Sequence, residues 1–500
     1  MNRLSIHLAL ALACGQGPAR LPAADLRPNI IFILADDLGY GDPGCYGQTK
    51  IRTPNIDRLA AEGVRFTAHY SGNAVCAPSR CVLLTGLHPG HAWIRNNREH
   101  KPEGQEPIPA DTVTLPRLLQ GAGYVTGGFG KWGLGGPGTS GEPLQQGFNR
   151  WFGYNSQSVA HNFYPVSLWD DDRVFPLANP AFSAHDTFKP GEDPGDPRSY
   201  KRFQGTQYSA DLIAGEARKF IRQHCDRPFF CYFPTTVPHL ALQVPDDSLQ
   251  EYLGIWEDPP YPGGKGYLPH FAPRAAYAAM ISRMDREIGR LLDLVAELGL
   301  EERTIFVFSS DNGPLHGEHE GLAGTDARFF HSSGGLRNGK GTLYEGGFRV
   351  PGLVRWKGRI PAGTVSHRTT GFEDWLPTLL DLAGLENLIP KEIDGISFAP
   401  TLLGQTQPER PFLYREFPAY GGQQCIREGQ WKLIRTGLMP NRKTLAAGRQ
   451  PTLELFDLSA DPGEQHNLAG QNPDLVAHLL TLMQAQHQPS QLFPFPALDP

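Results

Sequence analysis

The stretch "PNIIFILADDLGYGD", residues 28–42, decides the fold. Ile30 to Ala35 form an unbroken apolar run of strand length, and it empties directly into two acids, Asp36 and Asp37. Three later runs repeat the pattern: "YVTGGFG" leads into Lys131, "RPFFCYFPTTVP" into His239, and "TIFVFSS" into Asp311 and Asn312. Helix patterns lie between them. "TPNIDRLAAEG" has Thr53 as a cap, Pro54 in the first turn and Gly63 as a stop, and "TLPRLLQGAG" and "ADLIAGEARKFIRQH" are similar. In "AAYAAMISRMDREIGRLLDLVAELG" the residues Ile281, Met284, Ile288, Leu291, Val295 and Leu298 trace one apolar stripe that ends at Gly299. Strands alternating with helices predict an α/β fold with a mostly parallel sheet covered on both faces, and such sheets bind ligands beyond the carboxyl ends of their strands. All four polar clusters then share one rim. A single charged cluster at a strand end is usually solvated loop; four with complementary chemistry are a site.

Beyond residue 400 the texture changes. "PFLYREF", "CIREGQWKLIR" and "LELFDLSADPGEQHNLA" read as strands joined by turns, and residues 473–486 as a closing helix. The division expected is a leader over 1–24, a catalytic domain over 25–400, and a C-terminal α+β subdomain over 401–500 with a small antiparallel sheet. The leader has a basic start, an apolar stretch from Leu8 to Cys14 and small residues at Ala23 and Ala24, which reads as a secretory signal and places the protein in the periplasm or outside the cell. Cys14 after "ALA" imperfectly resembles a lipoprotein site, the weaker reading. No later run reaches transmembrane length. With 46 basic against 52 acidic residues and a net charge of -6, the chain makes no case for nucleic acid or an anionic membrane, so an anionic substrate must be caught locally. Six cysteines remain after Cys14, an even number compatible with disulfides whose pairing the sequence does not disclose.

Asp36, Asp37, Asp311 and Asn312 supply only oxygen donors, which select calcium or magnesium over zinc, with calcium preferred. His316 and His319 in "DNGPLHGEHE" are three apart in a glycine-rich loop, a spacing that is more often incidental. Cys76 and Cys81, five apart in "NAVCAPSRCVLLTG" (73–86), do not make a zinc pair. "GGLRNGKG" fits GxxxxGK through Gly334, Gly339 and Lys340, but Gly341 stands where a phosphate loop needs Ser or Thr and no strand leads in. Lys131 and Lys340 with a metal are instead what a tetrahedral oxyanion ester requires, because charge gathers on its nonbridging oxygens during displacement.

These residues carry a resemblance that runs over nearly the whole chain after the leader. "CAPSRCVLLTG" matches the C-x-P-S-R signature of the type I sulfatase family, and "PNIIFILADDLGYGD", "TPNIDRLAAEGVRF", "GKWGLG", "SSDNGP", "GKGTLYEGGFRVP" and "WKLI" follow in order. The resemblance implies an alkaline-phosphatase-like three-layer sandwich and oxidation of Cys76 to formylglycine by a formylglycine-generating or anaerobic maturating enzyme. It implies calcium held by Asp36, Asp37, Asp311, Asn312 and an oxygen of residue 76. Arg80 would pair with the nucleophile and the metal, Lys131 and Lys340 would clamp the sulfate, and His239 would protonate the leaving alcohol. The family commonly has K-W-H where this chain has Lys131, Trp132 and Gly133; His161 in "SQSVAHNFYP" is a candidate for the proton-accepting role of that histidine. The glycine form with "QGFNRWFGYNSQSVAHNFYP" is similar to carbohydrate sulfatases acting on sulfated galactose or N-acetylgalactosamine, and Trp151, Tyr154, Tyr164 and Trp169 offer faces for stacking a sugar. The alternatives are phosphate mono- or diester hydrolysis, expected with a Ser or Thr nucleophile and two zinc ions, and glycan binding without turnover if Cys76 stays a thiol.

Overall fold

The computed structural model describes residues 27–439 and 450–499, apart from positions 102, 265 and 316–324; the leader with Cys14, and His316 and His319, lie outside the described residues. Its main sheet contains β1 (Asn29–Ala35), β2 (Val64–Phe66), β4 (Val125–Lys131), β5 (Arg150–Tyr154), β6 (Ser167–Asp170), β7 (Arg173–Pro176), β8 (Phe229–Pro234), β9 (Thr304–Ser310), β10 (Gly352–Arg355) and β11 (Thr364–Ser366). β3 (His69–Tyr70) and β12 (Thr370–Gly371) pair separately. The order across the ten strands is β11-β2-β10-β9-β1-β8-β4-β5-β6-β7, and only β6 and β10 run against the others.

β1 is buried along its whole length, and its alternate side chains enter two different cores. Ile31, Ile33 and Ala35 join the core under helices Pro54–Ala61, Ser209–Gln223 and Pro273–Glu297. Ile30, Phe32 and Leu34 join the core under helices Cys76–Thr85, Leu115–Gly121 and Trp375–Leu382. Two cores on opposite faces of one sheet make the three-layer sandwich. Each buried Ile, Leu or Phe contributes roughly 1.5–3 kcal/mol, and the one polar residue of the strand, Asn29, is admitted at its start because its amide donates to Thr304 (3.3 Å) and accepts from the Phe229 N–H (3.3 Å).

The long helix Pro273–Glu297 stops as expected, with Gly299 at φ +68. Its stripe is buried from Ile281 to Val295, whereas Leu298 is only partly covered. Thr53 departs from its predicted role. It precedes the helix Pro54–Ala61 without capping it, because its hydroxyl accepts from the Gly44 N–H (2.7 Å) and donates to Asp57 (3.2 Å). The free N–H groups of Asn55 and Ile56 donate instead to Asp285 of the long helix, at 3.0 and 2.8 Å, so a remote acid performs the cap.

β13 (Leu413–Phe417), β14 (Gln423–Glu428), β15 (Trp431–Thr436) and β16 (Thr452–Asp457) form an antiparallel meander. One face, with Leu413, Phe417, Cys425, Ile434 and Phe456, packs on Ala74, Val75, Leu343 and Phe348. The other, with Tyr414, Ile426, Leu433 and Leu455, takes the helix Pro473–Gln486. The six described cysteines are all free thiols, so the even count is not used for disulfides. No described helix is long and apolar enough to cross a membrane.

Candidate active site

β9, β1, β8 and β4 are consecutive in the sheet and parallel, so their carboxyl ends line up. That brings Asp311 and Asn312, Asp36 and Asp37, His239, and Lys131 together from four distant parts of the chain. The backbone locks the two acidic ends to each other: the Asp311 N–H donates to Ala35 O (3.0 Å), and the Asp37 N–H to the Asp311 carboxylate (3.2 Å). Asp37 adopts φ +66, a conformation an acid tolerates better than most residues.

Cys76 opens the helix Cys76–Thr85, and Arg80 lies one turn further on the same face. Pro78 fits the first turn, where its missing N–H costs nothing. Gly72 lets this helix approach, since a Cβ there would stand 2.5 Å from Val82 Cβ. Cys76 Sγ sits 3.5 Å from Asp36 Oδ1, 3.5 Å from Lys131 Nζ and 3.7 Å from Lys340 Nζ. Burial, with the Asp36 charge, pushes its thiol up to about 12. At neutral pH it holds its proton and is a poor nucleophile.

Lys131 Nζ lies 2.6 Å from Asp36, and Lys340 Nζ 2.7 Å from Asp37. Burial disfavours both ammonium groups, but these acids hold their pKa values above the ordinary lysine range. Arg80 is wholly buried. It donates to Asp311 Oδ2 from Nε (3.1 Å) and Nη2 (2.8 Å), to Asp36 (3.3 Å), and from Nη1 to the Lys131 carbonyl. It therefore braces the carboxylates beside Cys76. Asp36 is held well below the usual carboxylate range: burial opposes this, and Lys131, His239, Arg80 and Lys340 outweigh it. Asp37 is raised by burial, and Asp311 is pushed up to about 6 by burial and the Asp36 charge. Like charges in one dry site cannot all be satisfied by the lysines and arginine present.

One ligand atom each from Asp36, Asp37, Cys76 and His239 falls within 4.8 Å of the others. Asn312 donates to Asp37 (2.7 Å), while its own buried carbonyl oxygen has no partner. An orphaned amide oxygen beside three crowded carboxylates suits a hard cation such as calcium. Asp311 stands behind this cluster, with Oδ2 taken by Arg80 and Oδ1 by the Asp37 N–H. A second group, His88, His91 and Asp394, also has the ligand spacing of a metal site. It is closed: Gly90 N–H donates to His88 Nδ1 (3.1 Å), which leaves the ring proton on Nε2, and Asp394 accepts from the His88 N–H and faces His91 Nδ1 at 2.9 Å.

His239 Nδ1 lies 2.6 Å from Leu240 O, so this nitrogen carries the proton and Nε2 is free, 3.6 Å from Asp37. Burial and the two lysines hold its pKa well below the ordinary value. His161 stacks on His239 with centroids 4.5 Å apart at 9°, and its Nδ1 lies 3.3 Å from His185 Nε2. The space beside Gly133 belongs to another residue: a Cβ there, at φ +93, would stand 2.8 Å from Gln157 Nε2. Gln157 in turn reaches Asn97 (3.4 Å), which accepts from the Ala77 N–H (3.0 Å) next to the candidate nucleophile. Asn97, Gln157 and His185 were not singled out from the sequence; Asn97 and His185 lie in loops with no motif of their own, and Gln157 lies unremarked inside "SQSVAHNFYP".

The predicted stacking faces do not stand open. Trp151, Tyr154 and Tyr164 are buried, and Trp169 is half-buried with its N–H on Glu103. Trp151 packs among Trp132 and Phe148 instead, so the aromatic density of this stretch serves the core.

A family model described as Sulfatase matches residues 28–385, and one described as N-sulphoglucosamine sulphohydrolase, C-terminal, matches residues 338–488. Human arylsulfatase A is 34% identical, covering 96% of this chain and 90% of that protein. The N-acetylgalactosamine-6-O-sulfatase of Bacteroides thetaiotaomicron is 31% identical, covering 92% and 93%. The crystal structure of Ps i-CgsB in complex with k-i-k-neocarrahexaose superposes with a TM-score of 0.72 at 26% identity, covering 92% of this chain and 94% of that one.

Proposed function

Because the chain belongs to the sulfatase family and is a sulfuric ester hydrolase, we propose that it releases inorganic sulfate from a sulfated carbohydrate, using residue 76 as formylglycine and a calcium ion. Units of sulfated galactose or N-acetylgalactosamine are the proposed substrates, on the strength of relatives named N-acetylgalactosamine-6-sulfatase. The observation that carries the mechanism is Cys76 itself. It is placed between Lys131, Lys340 and Asp36, yet its thiol, pushed up to about 12, is protonated where a nucleophile is needed.

A hydrated aldehyde at this position supplies two hydroxyls on one carbon, one to attack sulfur and one whose collapse expels sulfate. Asp36, Asp37, Asp311 and Asn312 would hold calcium, which supplies positive charge to the nonbridging sulfate oxygens. The chain's own residues do the rest. Lys131 and Lys340 flank the Sγ position and bind the sulfate anion. Arg80 fixes Asp36 and Asp311. Burial and the two lysines hold His239 low; the negative charge of the bound ester works against them, which favours a proton at Nε2, the atom placed to deliver it to the leaving alcohol. Gln157 and Asn97 take the place beside Gly133, and His161 steadies the face of His239. In this reading residues 25–400 form the catalytic domain and 401–500 the subdomain, the protein works in the periplasm or outside the cell, and a maturating enzyme oxidises Cys76.

The test uses protein from its native host. A hydrazide probe is expected to label residue 76, and 6-sulfated N-acetylgalactosamine to lose sulfate. Chelation is expected to lower the Tm by several degrees and calcium to restore it, since a ligand at a hundredfold excess over its Kd contributes about 2.7 kcal/mol. An unlabelled thiol with tight sugar binding and no turnover would replace this reading by that of a glycan-binding protein.

A further inference from the structure

The turn between β13 and β14 places one aromatic ring where the buried tryptophan and tyrosines cannot act. Tyr420 is 59% exposed. It holds φ +50, and Gly421 and Gly422 continue at +88 and +72, so three successive residues are left-handed. For a residue with a Cβ that conformation is strained, so the surroundings must impose it.

They do so through the active-site loops. The Tyr420 ring stacks on Phe417, with centroids 5.5 Å apart at 24°. Its edge stands 3.0 Å from where a Cβ on Gly341 would be, so it fills the space that glycine leaves. Gly341 directly follows Lys340; its N–H donates to Ala74 O (2.9 Å), two residues before Cys76, and its carbonyl accepts from Gln423 (2.8 Å). A strained, exposed aromatic is thus fastened to the two loops that carry the sulfate clamp and the nucleophile.

We propose that Tyr420 is a stacking platform at the mouth of the active site, taking the apolar C–H face of a pyranose ring of the glycan whose sulfate lies between Lys131 and Lys340. This rests on the carbohydrate reading above. An aromatic face excludes water from the sugar's apolar side while leaving its hydroxyl edge wet, and it needs no particular hydroxyl pattern.

The matured enzyme is assayed with a 6-sulfated chondroitin disaccharide. Tyr420→Ala is expected to raise KM about tenfold with kcat within a factor of two, and Tyr420→Phe, which keeps the face, to stay near wild type. Tyr420→Gly removes the ring and relaxes the strained φ, so it must match Tyr420→Ala if the ring and not the turn is responsible. In a Cys76→Ala background, Tyr420→Trp is expected to shift its emission to the blue as the disaccharide is added. An unchanged KM in Tyr420→Ala, or a Phe variant as impaired as the Ala variant, overturns the platform alone. A wild-type enzyme that neither binds nor hydrolyses the disaccharide overturns the carbohydrate reading and the platform with it.

Discussion

Arg80 and Arg415 are both wholly buried, one beside the candidate nucleophile and one where the small sheet meets the large domain. Arg415 grips Glu373 with two bonds (3.0 and 2.8 Å) and gives two further donors to the carbonyls of Ser71 (2.9 Å) and Tyr414 (2.7 Å). Burial opposes the charge on Glu373, but Arg415 and Arg410 hold it at about 2. Arg80 also makes two bonds to one carboxylate, yet Asp311 is pushed up to about 6, first by burial and then by the charges of Asp36 and Asp37. Arg415 keeps its own partner ionised, and the acid pushed up there is the neighbour Asp374, at about 6, which shares Arg410 with Glu373. Around Arg80 the raised acids, Asp311 and Asp37, are the ones clustered about Cys76, where a site receiving a cation and an anionic ester would use them.

The largest effect is expected at Cys76. Cys76→Ala is expected to lower turnover of sulfate esters by on the order of 10⁴ or more while the Tm stays within a few degrees, because the residue contributes chemistry and little packing. A large loss of Tm would make the nucleophile helix a structural element like Arg415's joint. Arg415→Met is the mirror experiment. It strands Glu373, so a loss of about 3–5 kcal/mol is expected in denaturant unfolding, with kcat of the folded fraction nearly unchanged. Adding Glu373→Gln should recover part of that stability; no recovery would mean the cost lies elsewhere.

The third effect is a slope, small at any one pH step. His69 is buried, with Trp375 Nε1–H donating to its Nε2 (3.3 Å) and Nδ1 on Thr370 (2.8 Å), and burial pulls its pKa down to about 3. The folded chain therefore refuses a proton that the unfolded chain takes below about pH 6.5. This contribution is complete above pH 6.5 and is lost as pH falls toward 3, at up to about 1.4 kcal/mol per pH unit. His69→Gln should flatten unfolding stability by that amount between pH 6 and 4; an unchanged slope assigns the acid sensitivity to other groups.

What could be read beforehand follows a physical line. An apolar run that stops at a charged or polar group is a local pattern, so the ends of β1, β4, β8 and β9 were legible, whereas the pairing of Arg80 with residue 76 was implied only by the family resemblance. The adjacency of those four strands depends on the order β9-β1-β8-β4, which no local pattern encodes. Asn97, Gln157 and His185 reach the site through loops, where neither period nor cap marks them. Aromatic density misled for a related reason: it measures burial at least as often as display, and Trp151 is buried while Tyr420 is open. Thr53 shows that a cap position does not choose its own partner once a better acceptor, Asp285, arrives from another helix.

Cys76 is 1% exposed, and Ala74 and Val75 just before it are covered by strands that begin at Leu413. That burial sets a timetable. If residue 76 matures as proposed, the oxidising enzyme would have to meet it on a chain still being assembled, before the strands from Leu413 onward have docked. Refolded thiol-bearing protein would then stay a thiol when the same enzyme is added later.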